Sequence, residues 1–287
     1  MDALLLGVLA GALFGAMTVA VRWGLLRGGD PIAGTPAIAG TAFLVAAALA
    51  LVTPGSSEPD ALAAFFAVGV VVPGLSQIAF VSAIRFAGPS RAAILIGTAP
   101  LLSVLLAIVL LGETFQAAVL AGTLLIVSGG AVLAFDPGRP IGFRRLGVAL
   151  ALLCAALFAV RDNAVRHLAV DLDATPLDAA AASLLGATLG SLVFVLIAQR
   201  GAAAARIRQS LVPFLPSGLL LGGAYCALVA GFDRGSVSVV APFNATQSLW
   251  AVLIAALVYR QAEAIGRRTL VAALLVVAGG ALVTALR

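Results

Sequence analysis

Residues 3–21 read Ala-Leu-Leu-Leu-Gly-Val-Leu-Ala-Gly-Ala-Leu-Phe-Gly-Ala-Met-Thr-Val-Ala-Val, an apolar run without one charged side chain. At about 1.5 Å of rise per residue, roughly 20 residues cross the hydrocarbon core of a bilayer, so this run predicts a spanning helix. It lacks the basic leader of a signal peptide and is followed by arginine, and is therefore read as the first span. Cutting the rest of the chain where charges, Pro and Gly cluster gives nine further runs: Pro36 to Thr53, Ala61 to Ile84, Arg91 to Leu111, Ala117 to Phe135, Leu146 to Val165, Leu177 to Ala198, Leu211 to Phe232, Val237 to Tyr259 and Arg268 to Leu286. In lipid every backbone N–H and C=O must be bonded within its element, which leaves helices or a closed barrel. These runs are about twice a barrel strand's length and do not alternate, so the expected fold is all-α with ten transmembrane helices. The connections are short, so consecutive helices should be antiparallel neighbours.

Composition agrees. Of 287 residues, 62% are apolar and 10% charged, with a mean hydropathy of +1.17, against roughly 45–50% and 25% in soluble domains. So few charges cannot cover a water-soluble surface, and no sizeable extramembrane domain is left over. The net charge of +5 rests on arginine alone, since the chain has no lysine. These arginines are scattered, without the basic stripe or interleaved aromatics of a nucleic-acid surface, and their expected work is orienting helices. Cys154 and Cys226 lie inside apolar runs with no metal-ligand spacing and are read as core residues; no metal or cofactor is expected.

The chain repeats when folded in half. Leu6-Gly7-Val8 opens the first span and Leu146-Gly147-Val148 the sixth; Phe86 to Ser90 is echoed by Phe232 to Ser236. Glu113 followed by Ile126-Val127-Ser128-Gly129-Gly130-Ala131 returns as Glu263 followed by Val276-Val277-Ala278-Gly279-Gly280-Ala281. The expected halves are residues 1–140 and 141–287. Five spans is an odd number, so the two copies would face opposite ways, the inverted repeat of many secondary carriers whose substrate sits near the midplane between halves.

With Gly15 to Arg22 late in span one, Ala156 to Arg166 late in span six, Leu110-Leu111-Gly112-Glu113 closing span four and the glycine-rich fifth and tenth spans, the whole chain resembles the ten-helix EamA-type carriers of the drug/metabolite transporter superfamily, YddG-like amino-acid exporters among them. The resemblance implies alternating access between two halves, two EamA-like repeats and residence in a bacterial inner membrane. It does not name a substrate. Small four-helix relatives in this superfamily couple to protons through a glutamate in the first span. Spans one and six here are read as having no carboxylate near mid-depth, which favours a facilitated carrier or coupling through another group.

Polar side chains within apolar runs cost free energy unless paired, and so point to a water-filled cavity. Span three offers Ser76 and Gln77 after Pro73, span four Thr98 and Ser103 around Pro100, span eight Tyr225, and span nine Asn244, Thr246, Gln247 and Ser248 after Pro242. Helical spacing puts Asn244, Gln247 and Ser248 on one face, with Trp250 close to it. Amides and hydroxyls would hold the ends of a small zwitterion, and Trp250, Tyr225, Phe14 and Phe158 would wall it. The other reading makes these polar groups interhelical hydrogen-bond glue and turns the aromatics to lipid. Pro73, Pro100 and Pro242 each remove a backbone donor and mark hinges or static bends. Gly7, Gly11 and Gly15 form a groove for close helix approach.

Arg161, Asp162 and Arg166 close span six, with Asp162 and Arg166 one turn apart; an interfacial ion pair is the expectation and a charged gate the alternative. Most arginines flank odd-numbered loops, Arg22, Arg85, Arg145 and Arg206 among them, which puts those loops in the cytoplasm and both termini outside. The family resemblance implies cytoplasmic termini instead. The functional expectation is a monomeric secondary transporter in the bilayer that exports or facilitates small metabolites, amino acids including aromatic ones first. A multidrug or nucleotide-sugar-like carrier is the alternative. An embedded lipid-modifying enzyme would need clustered acids or histidines, and Asp171-x-Asp173 with His167 is better read as a solvated loop.

Overall fold

The computed structural model describes residues 2–53, 55–110, 117–134, 144–244, 246–259 and 266–285, and all its regular structure is helical. The first half holds α1 (Ala3–Leu26), α2 (Gly34–Val52), α3 (Pro59–Gly69), α4 (Ser76–Ala87), α5 (Pro89–Ile96), α6 (Ala99–Leu110) and α7 (Ala117–Ala134). The second holds α8 (Arg145–Asp171), α9 (Pro176–Gln199), α10 (Ala203–Arg234), α11 (Val237–Asn244), α12 (Gln247–Val258) and α13 (Arg267–Ala285). Among the described residues, six stretches are long and apolar enough to cross a membrane: Ala3–Leu26, Gly34–Val52, Pro59–Ala87, Pro89–Leu110, Arg145–Asp171 and Pro176–Arg234, the last containing both α9 and α10. Their outward faces carry bare Leu44, Leu51, Val109 and Ile197, the surface a helix presents to acyl chains.

Packing in the first half has a counterpart in the second. α1 lies against α10 and the α11–α12 pair, as α8 lies against α4 and the α5–α6 pair. α2 packs on α10 as α9 packs on α3, while α2 with α9 and α7 with α13 join like to like. Lipid offers no hydrophobic drive for helices to associate, so contact depends on close backbone approach through small residues. A Cβ on Gly69 would strike the Ser183 carbonyl and one on Gly186 the Phe66 carbonyl, so α3 and α9 touch backbone to backbone. Gly7, Gly11 and Gly15 make the groove expected of them, with α11 and α12 lying in it.

Three runs are broken. The α3–α4 run widens into a π-type turn at Val70–Leu75, with Val72 in extended geometry (φ −140°, ψ 113°) directly before Pro73. The α5–α6 run stops at Ile96 and restarts at Ala99, so Pro100 falls in the first turn of α6, where its missing N–H costs nothing. α11 ends at Asn244, two residues after Pro242, and α12 begins at Gln247. Gly88, at the α4–α5 corner, has φ 85° and ψ 157°, a region that only glycine occupies without strain.

The end of the bundle where α1 meets α2 is held by two devices. Phe214 of α10 is fully buried, its ring seated against Gly24, Gly29 and Gly34. Phe214→Ala should therefore cost about 3–5 kcal/mol, read as a fall in the unfolding temperature of the purified protein. Asp30 receives the N–H groups of Ile32 and Ala33 at 2.8 Å each and the Gln199 amide at 3.1 Å, with Arg206 at 3.6 Å. Burial pushes its pKa upward, but those donors and the arginine outweigh it and hold the carboxyl below its usual 3.8. A depressed acid stabilises the fold above the unfolded-state value, and that contribution disappears as pH falls through the folded value. Asp30→Ala should cost about 1 kcal/mol at neutral pH, the worth of a lost cap. The gap between variant and wild-type melting should close below pH 3.8.

Candidate functional site

The three breaks converge on one narrow cavity. α1 contributes Phe14 and Met17; the α3–α4 break contributes Pro73, Gln77 and Phe80; the α5–α6 break contributes Ala99 and Pro100. From the second half come Phe158, Arg161 and Asp162 of α8, Leu221 of α10, and Asn244 and Gln247 on either side of the α11–α12 break. Both halves thus wall it.

Arg161 and Asp162 dominate its chemistry. Their side chains are each 3% exposed, and Arg161 donates to Asp162 Oδ1 through Nη2 at 2.7 Å and Nε at 3.0 Å. Asp162 Oδ2 accepts from Ser103 Oγ at 2.9 Å. Asn163 Nδ2 donates to the Ser103 and Ala159 carbonyls, both at 2.9 Å, so α6 and α8 are tied at one level by two neighbouring residues. The guanidinium lies 4.8 Å from the Phe158 ring centre and 5.8 Å from that of Tyr225, two negative faces that help replace lost water. Nη1 has no acceptor among the described residues, leaving a cationic donor for an anion in the cavity.

This corrects two expectations. Asp162 pairs with Arg161, not Arg166, whose Nη1 donates to the Phe232 carbonyl at 2.7 Å. Span six does hold a deeply buried carboxylate, because α8 continues to Asp171 and the pair lies well inside it. His167 is exposed and bonds Asp171 at 2.8 Å on that outer end.

The other polar candidates divide by what they touch. Gln77, Asn244 and Gln247 are buried and line the cavity, and Gln77 Nε2 and Asn244 Oδ1 lack a partner among the described residues. A buried, unsatisfied amide costs free energy unless water or ligand completes it. Ser248 donates to the Ala93 carbonyl at 3.0 Å, fastening α12 to α5, and Thr98 donates to the Leu95 carbonyl at 2.7 Å within the α5–α6 turn. Ser103 acts through Asp162. Tyr225 is wholly buried beneath Arg161. Phe14 and Phe158 wall the cavity, whereas Trp250 is 37% exposed and outside its lining. Pro73 and Pro100 sit in the lining at breaks, and Pro242 falls in α11 near its end. Cys154 and Cys226 are buried free thiols, and Glu113 and Glu263 lie outside the described residues.

A lipid-facing helical bundle whose broken helices surround a charged, partly unsatisfied cavity belongs to the class of membrane transport proteins. The EamA-like transporter family matches the chain twice, over residues 1–135 and 145–285. The chain belongs to that family, whose members carry small molecules across membranes. A solved structure described as "Crystal structure of protein" is similar over 99% of this chain and 96% of that one, with a TM-score of 0.71 and 23% identity, a likeness of fold. None of the curated proteins matches.

Proposed function

We propose that the chain is a ten-span carrier of two inverted five-helix halves in a bacterial cell membrane. It exports or facilitates small zwitterionic metabolites, amino acids including aromatic ones first, by alternating access. The observation that carries this reading is the buried Arg161–Asp162 pair facing unsatisfied Gln77 and Asn244 in one cavity. A substrate carboxylate takes Nη1 and then the fork of Arg161. Asp162, loosened from it, receives the substrate's ammonium, so neither buried charge is left uncompensated. Gln77, Asn244 and Gln247 complete the polar ends, and Phe14, Phe80 and Phe158 suit an apolar or aromatic side chain. Pro73, Pro100 and Pro242 mark the hinges about which the halves exchange openings.

Purified protein in liposomes, offered labelled amino acids, sugars and cationic drugs, tests this. Saturable flux of zwitterions is expected. Asn244→Ala and Gln247→Ala should each raise the half-saturating concentration about 2- to 10-fold, the worth of one neutral hydrogen bond. Absence of flux for every class would sink the carrier reading, and unchanged kinetics in both variants would sink the site.

A further inference from the structure

A second crevice, about 430 Å³, opens at the end of the bundle where α1 runs into α2. Arg22 of α1, Arg85 of α4 and Arg206 of α10 converge on it from three separate helices. Asp30 is the only carboxylate among the described residues of that end, and its oxygens are engaged by two backbone N–H groups, Gln199 and Arg206. Neither Arg22 nor Arg85 has a carboxylate within ion-pair distance among the described residues.

Membrane topology does not require this. The rule that retains arginine on one side of a bilayer counts basic residues, and acids matter little to it. Yet the described acids gather at the opposite end, which holds Glu58, Asp60, Asp171, Asp173 and Asp178 and where the Glu58 N–H donates to the Asp173 carbonyl and Ser57 Oγ to Asp178 across the α2–α3 and α8–α9 connections. The crevice is also in line with the central cavity. Met17 and Phe80 line the cavity, and Arg22 and Arg85 lie five residues further along the same two helices, about 7.5 Å at helical rise.

We infer that the Arg22–Arg85–Arg206 crevice is an anion-binding vestibule, a second site that takes a small oxyanion, carboxylate or phosphate. Asp30, which also lines the crevice, offsets Arg206, and the two remaining guanidinium groups leave a net positive potential there that raises the local concentration of anions. Delivery of a substrate carboxylate from this vestibule to Arg161 rests on the carrier reading; binding of the anion does not.

The test uses the full chain in phosphatidylcholine nanodiscs with Trp250→Phe, which leaves Trp23, beside Arg22 and stacked under Arg27, as the single tryptophan. Succinate and inorganic phosphate, titrated at constant ionic strength against chloride, should change Trp23 emission saturably. Arg22→Gln/Arg85→Gln should weaken that response about fivefold or more, since each loses a charge-assisted contact. The double lysine variant, which keeps the charges, should retain more affinity, separating loss of binding from loss of fold. Repeating the titration in phosphatidylglycerol nanodiscs identifies the source. A response abolished there by the lipid assigns the site to a headgroup phosphate, and one that persists assigns it to a soluble anion. A response equal to that of chloride, or one unchanged in both double variants, overturns the vestibule. Zwitterion flux in liposomes is measured separately, so failure of the carrier reading is not confused with failure of this one.

Discussion

Replacing Arg161 by glutamine is expected to lower substrate flux in liposomes on the order of 30-fold, the worth of hydrogen bonds to a charged partner. It should destabilise the protein at the same time. Asp162 would keep its bond from Ser103 but lose both donations from Arg161 in a site only 3% exposed. A buried charge stripped of its partner typically costs about 3–5 kcal/mol. The two effects separate in the double variant Arg161→Gln/Asp162→Asn, in which no charge is left to solvate. Its thermal stability should return to within about 1 kcal/mol of wild type, as neutral replacements of buried pairs commonly do, while flux stays low. Arg161→Lys is the complementary probe, since it keeps the charge but loses the fork that holds Asp162 and offers Nη1. Wild-type flux in the double variant would make the pair a packing device and remove Arg161 from the substrate site.

That pair was the part of the site least visible in the chain, for a specific reason. Charges mark span ends in a sequence, so Arg161, Asp162 and Arg166 put the expected end of span six near Val165 and the pair at the interface. α8 in fact runs to Asp171, past His167, which places the pair inside the helix and the true interface beyond it. The consecutive polar triplet Arg161-Asp162-Asn163 was the available signal. Polar residues next to helix-breaking prolines were more legible. That rule selects Gln77, Asn244, Gln247, Pro73 and Pro100, which line the cavity, and also Thr98, Ser103 and Ser248, which do not. Spacing misled where it assumed an unbroken helix. Helical spacing joins Asn244 to Ser248 and Trp250 across a position where the helix stops and restarts, whereas Ser248 turns to α5 and Trp250 is partly exposed outside the lining.

Gly15→Val should damage both transport and stability. α1 and α12 are in contact at this residue, and a Cβ there would lie 2.6 Å from Trp250 Cβ, 2.8 Å from the Gln247 carbonyl and 2.9 Å from the Ala251 amide nitrogen. None of these is the free end of a flexible side chain, so relief requires moving one helix away from the other. Overpacking of this kind costs about 1–3 kcal/mol, and in lipid no gain from apolar burial offsets it. The displaced backbone is that of Gln247, at the α11–α12 break, and Gly15 adjoins Phe14 in the cavity wall. Gly11 repeats the contact one turn earlier, where a Cβ would meet Thr246 Oγ1 at 2.5 Å and the Asn244 carbonyl at 2.9 Å. Flux should therefore fall in Gly15→Val and Gly11→Val about 10-fold or more even where folded protein is recovered, since ångström displacements of positioning groups are costly. Gly223→Val is the control. A Cβ at that helical glycine meets nothing nearer than a leucine methyl at 3.3 Å, so flux and melting should change little. Equal losses in all three variants would trace the damage to glycine replacement in a helix and not to the contact between α1 and the broken span.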